Sequence, residues 1–124
     1  MTESALKRKW DLKERSFKFA MRDLGIAEAL PETAFTRIVR EQVARSALSV
    51  GANVEEADGT RTPLDARKSL VTARKELRET RYWLRVVQEK WRDAPDVRES
   101  VQEATELLKI LSSIIEKLGN RDDG

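Results

Sequence analysis

The feature that most narrows the fold of this chain is an apolar recurrence at alternating steps of three and four. It runs unbroken through the last quarter, in Val97, Val101, Ala104, Leu108, Leu111, Ile115 and Leu118. At 3.6 residues per turn such positions share one face of an α-helix. The preceding stretch carries Ala66, Leu70, Ala73, Leu77, Leu84, Val87 and Trp91 at the same spacing. Before that come Val39, Val43, Ser46 or Ala47, Val50, Val54 and Ala57, and first of all Phe17, Ala20, Leu24 and Ala27. These four residues are the expected core stripe of the first helix.

Three punctuation marks separate the four stripes: Leu30-Pro31-Glu32-Thr33, Asp58-Gly59-Thr60-Arg61-Thr62-Pro63 and Arg92-Asp93-Ala94-Pro95-Asp96. The second is the clearest, with Gly59 to end a helix, Thr62 to cap the next, Pro63 in its first turn and Asp65 near its dipole. Asp11 followed by Glu14 reads as an N-terminal cap, and Gly119-Asn120 as a stop. The spacing therefore predicts an all-α chain: an N-terminal arm at 1–10, an antiparallel up-down four-helix bundle over 11–119, and a frayed tail at 120–124. The helices fall near 11–30, 33–58, 63–92 and 95–118. Short loops between amphipathic helices are what such a bundle requires.

At 124 residues, with 40% hydrophobic, 37% charged and 6% aromatic residues, the composition suits one helical domain better than a strand-rich fold. The chain has no Cys and no His. That excludes disulfides, thiol catalysis and imidazole as base or ligand, so no catalytic residue, metal site or cofactor is expected. Ser49 has no motif partner, and Glu55, Glu56 and Asp58 read as an acidic helix end rather than a Mg²⁺ site. No apolar run reaches the roughly 18 residues of a membrane span, and the N-terminus lacks a secretory pattern. A cytoplasmic protein is expected.

Net charge is +2, but it is unevenly spread: +2, −1, +5 and −4 over residues 1–30, 31–62, 63–92 and 93–124. Projected at about 100° per residue, Arg67, Arg74, Arg78, Arg81, Arg85 and Arg92 fall on one strip of the third helix. Guanidinium forks there would either grip phosphates or pair with carboxylates of the fourth helix or another subunit. On the second helix Gln42, Arg45, Ser49, Asn53 and Glu56 form a polar strip with small residues beside it, as a hydrogen-bonded contact surface would. Leu12, Phe19, Ile26, Leu30, Trp83, Leu107, Ile110 and Ile114 lie outside the main stripes. Surplus apolar faces mark association, so these are the expected oligomer contacts.

Residues 11–20, 42–57 and 74–84 resemble, in that order, the bacterial four-helix-bundle proteins encoded in intervening sequences of 23S rRNA genes. The resemblance implies a closed bundle assembling as a homopentamer around a central channel, with no established activity. Relatives include strongly basic accessory proteins of diversity-generating retroelements, which bind nucleic acid and contact a reverse transcriptase. This chain departs from them in its small net charge and in the loop Thr60–Asp65, which has Leu64 where an aromatic is common. The polar strip at Gln42, Arg45, Ser49, Asn53 and Glu56 coincides with positions matched in the family.

Two functional readings follow. One is a non-enzymatic oligomeric interaction module whose partner is structured RNA or an RNA-bound protein. The other is a structural or adaptor homopentamer that binds a protein and has no nucleic-acid role. They differ in whether the arginine strip is free or consumed.

Overall fold

Thr33 and Thr62 begin two of the helices in the way their side chains favour, each accepting a hydrogen bond from the backbone N–H three residues on. The computed structural model describes residues 3–122, with side chains over 12–119, and contains four α-helices. These are α1 (Glu3–Glu28), α2 (Ala34–Asp58), α3 (Pro63–Lys90) and α4 (Pro95–Asp122). No strand occurs among the described residues. Pro63 and Pro95 stand at the first positions of α3 and α4, where a missing N–H costs nothing. Thr36 closes a reciprocal capping box with Thr33.

The boundaries differ from the sequence reading by two residues or more at four ends, one of them the end of α1, at Glu28 rather than 30. Helix α1 starts at Glu3, so Asp11 lies within it and its expected capping side chain is outside the described set. Helix α4 continues through Gly119 to Asp122; an interior glycine costs a helix only about 1 kcal/mol. Helix α3 ends at Lys90, which leaves Arg92 in the connection to α4. Residues 1, 2, 123 and 124 of the expected arm and tail lie outside the described residues.

Each helix packs on the next in sequence, and α1 also packs on α4. The core between them is built from Phe19 and Ile26 of α1, Val43 and Val50 of α2, Leu77 and Leu84 of α3, and Leu107 and Leu111 of α4. Helix α1 corrects the expected stripe. Ala20 and Ala27 are buried as expected, but Phe17 is 57% exposed and Leu24 half-buried, whereas Leu12, Phe19, Ile26 and Leu30 are buried in the chain's own core. The inward row is 12, 16, 19, 23, 26 and 30, a 4-3-4-3-4 progression that includes Ser16 and Asp23. Two polar members broke the apolar pattern in the sequence. Leu107 is likewise fully buried, and Trp83, Ile110 and Ile114 are half-buried against the core. Leu12, Phe19 and Ile26 of α1, Leu30 just beyond its end, and Leu107 are thus not available to another subunit.

Candidate nucleic-acid interface

Between α3 and α4 the arginine strip lies along a groove. Arg74 Nη1 is 3.4 Å from Ser112 Oγ, and Arg81 Nη1 is 3.3 Å from Thr105 Oγ1. Both guanidinium groups are half-buried and donate to hydroxyls. Arg67 lies across Gly119: a Cβ there would sit 3.1 Å from Arg67 Nε, so the glycine makes room for it. That Nε is buried and has no hydrogen-bond partner among the described residues. Arg78 and Arg85 point from the same arc and are exposed. Among the described residues, no carboxylate forms an ion pair with Arg67, Arg74, Arg78, Arg81 or Arg85. Arg92 leaves the strip, held 3.0 Å from Asp96.

The carboxylates of α4 account for this. Glu103 and Glu106 turn toward α1 and bind the Arg15 guanidinium, with Glu106 at 3.0 Å. The hydrogen bond to Glu103 is the main cause that raises the Arg15 pKa, ahead of the opposing effect of burial. Asp93 is engaged by Arg98 at 2.8 Å, and hydrogen bonds from Gln88 and Arg98 lower its pKa. Four acids of the fourth segment, Asp93, Asp96, Glu103 and Glu106, thus serve α1 and the α3–α4 connection. Among the described residues, none of the acids of α4 forms an ion pair with the arginines of α3.

The α2 strip does a different job. Arg45 donates to Glu76 at 2.9 Å and to Glu79, both on α3, and its Nε to Gln42 at 3.1 Å. These hydrogen bonds, Glu79 first, raise the Arg45 pKa. Beneath them Ser46 and Thr80 are fully buried, with their hydroxyl oxygens 2.8 Å apart. Asn53 donates to the Ser49 carbonyl and hydroxyl within α2, and Glu56 is exposed. The strip therefore clamps α2 to α3 through Arg45, while Asn53 acts inside its own helix. Glu55 and Asp58 both pair with Lys13, whose pKa is raised chiefly by Asp58. Among the described residues no three ligating side chains gather as a metal site would need.

Three features were missed in the sequence. Phe17, Met21 and Leu48 are exposed on the outer side of the α1–α2 pair. Tyr82 is exposed within the arginine run. Asp23 is fully buried and accepts a 2.6 Å hydrogen bond from Ser100 while its other oxygen has no partner. The 3-4 spacing of Phe17, Met21 and Leu24 did carry a signal, but of an outer face.

These features define a small all-helical protein with a basic groove and an apolar outer strip. The chain belongs to the 23S rRNA-intervening sequence protein family, whose model matches residues 8–113. It is similar to a solved Bacteroides thetaiotaomicron protein of unknown function from the S23 ribosomal protein family. The two are 28% identical, with a TM-score of 0.77 over 88% of this chain and 98% of that one. No curated protein matches the chain significantly. Among the described residues, no helix is long and apolar enough to cross a membrane.

Proposed function

We propose that this protein is a cytoplasmic, non-enzymatic RNA-binding module: a closed up-down four-helix bundle that assembles as a homopentamer and grips phosphates through the α3–α4 groove. The observation that carries this reading is the set of five arginines, Arg67, Arg74, Arg78, Arg81 and Arg85, with no carboxylate partner among the described residues. Permanently charged forks beside hydroxyl groups fit phosphate oxygens. Phosphate contacts of this kind position RNA without reading its sequence. The exposed strip of Phe17, Met21 and Leu48 supports self-association, because apolar surface of this kind favours burial against a second copy.

A salt titration of RNA binding tests the reading. Each neutralised phosphate contributes about −0.7 to the log–log slope for single strands, so engagement of four arginines gives a slope near −3. Reversing Arg74 and Arg81 together to Glu weakens binding by similar factors for unrelated sequences while the oligomer stays intact. Arg67, near the start of α3, matters less. If the same double variant instead falls apart and the wild type binds no RNA at physiological salt, the arginines serve subunit contacts and the adaptor reading replaces this one.

A further inference from the structure

On α3 only Leu64, in the first turn, and Tyr82 are large apolar side chains left exposed among the described residues. Tyr82 is 59% exposed and sits inside the arginine run. At about 100° per residue, Lys75 lies within roughly 20° of Tyr82 around the helix, Arg78 within about 40° and Arg85 within about 60°. Arg78 and Arg85 bracket the ring along the axis over about 10 Å. Glu79, on the other flank, is already engaged by Arg45, and Glu89 lies two turns after the ring as Lys75 lies two turns before it, each about 20° away around the helix. One turn away on either side, the charges left without an ion pair among the described residues are thus those of Arg78 and Arg85.

Its position is also steadied from below. Tyr82 and Trp83 meet edge to face, with centroids 5.3 Å apart and planes at 78°. The Trp83 indole packs on the core and lies 3.4 Å from Glu79 through its Nε1–H. Glu79 in turn is tied to α2 by Arg45. The polar strip of α2 therefore braces the neighbour of an exposed aromatic ring. Holding a side chain in place before binding lowers the ordering cost of the complex.

A protein-binding hot spot would centre such a ring in a desolvated apolar patch, which this arc of α3 lacks. A ring flanked by guanidinium groups fits a nucleobase instead, with the aromatic face taking the base and the cations its phosphates. Bases inside a duplex have both faces covered, so only unpaired bases can stack on a side chain. We propose that Tyr82 is a stacking platform for an unpaired base, which makes the ligand of the arginine groove a looped or single-stranded segment of RNA. This rests on the reading of the groove as a phosphate-binding surface.

The test compares a short fluorescent oligoadenylate with a blunt RNA duplex of equal length, by anisotropy at fixed salt. The expected result for Tyr82→Ala is a loss of about 5- to 150-fold on the single strand, the range given by one lost base–aromatic stack. The duplex affinity changes by less than about twofold, because backbone contacts are kept. Tyr82→Phe retains the single-strand affinity, since the ring rather than its hydroxyl does the stacking. Arg74→Glu with Arg81→Glu weakens both ligands. Equal affinities of Tyr82→Ala and wild type for the oligoadenylate, with the arginine reversal still effective, overturn the stacking role and leave the groove standing. Failure of the wild type to bind either RNA overturns both.

Discussion

Asp23 is the buried carboxyl among the described residues. It is fully buried where α1 meets α4, with Ser100 as hydrogen-bond donor to one oxygen and no partner for the other among the described residues. Burial pushes its pKa up to about 7, against the weaker opposing effects of Ser100 and of the Arg22 charge. In the unfolded chain this carboxyl titrates near 4. Between these values the folded state holds a proton that the unfolded state has lost. Stability from this residue is therefore greatest at low pH and is lost as pH rises from about 4 to about 7, opposite to a salt-bridged carboxylate. The expected size is about 1–3 kcal/mol, discounted for relaxation around the buried charge. With no His in the chain, no imidazole obscures that window. Denaturant midpoints between pH 5 and 8 should fall for the wild type and stay nearly flat for Asp23→Asn. Parallel slopes for the two proteins would show that Asp23 is not the titrating group.

At the scale of single helices, the α2 strip divides into a bridge and a local brace. Arg45 spans to two carboxylates of α3, so Arg45→Ala should lower stability by about 1 kcal/mol, the upper range for an exposed ion pair. Asn53 bonds only within α2, so Asn53→Ala should cost less than about half of that. A larger loss at Asn53 than at Arg45 in urea unfolding would reverse these roles. The periodicity of α2, α3 and α4 was legible because Val, Leu, Ile and Ala dominate their inward rows, with only Thr36, Ser46, Thr80 and Ser100 as polar members among the described residues. Helix α1 was legible only in part: Ala20 and Ala27 are buried as expected, but Ser16 and Asp23 occupy inward positions while Phe17 and Leu24, at helical spacing with the two alanines, turn outward. Sequence projection found the arginine strip as one face. It could not tell where α4 aims its acids, since Glu103 and Glu106 are placed by packing against Arg15 of α1, a residue 88 or more positions away. Tyr82 escaped notice for a related reason: whether a ring on an amphipathic helix is buried depends on which neighbour covers it.

For the whole molecule, the correction of α1 moves the proposed self-association surface rather than removing it. Phe17, Met21 and half-buried Leu24 follow one line of α1 at steps of four and three. Gly51 of α2 lies at the level of Ser16, with a hypothetical Cβ there 3.8 Å from the Ser16 carbonyl oxygen. That register brings Leu48, three residues before Gly51, alongside Phe17 and Met21, with Ala44 and Ala52 one turn to either side. An apolar strip across two helices is the surface a second copy would bury, while the arginine groove on α3 and α4 stays open. Linking several such grooves raises the effective concentration of each for one RNA strand, so assembly and RNA affinity should be coupled. Phe17→Glu with Met21→Glu should convert the oligomer to a folded monomer, because both side chains are already exposed in the isolated chain. Phe19→Ala should instead destabilise each subunit by about 3–5 kcal/mol through a core cavity. Native mass spectrometry reads the first effect and circular dichroism the second. The monomeric variant should also bind long single-stranded RNA much more weakly than the oligomer while keeping its affinity for a short strand that fills one groove. A wild-type protein that stays monomeric at micromolar concentration, or a double variant that still assembles, would show that the strip is not the contact between copies.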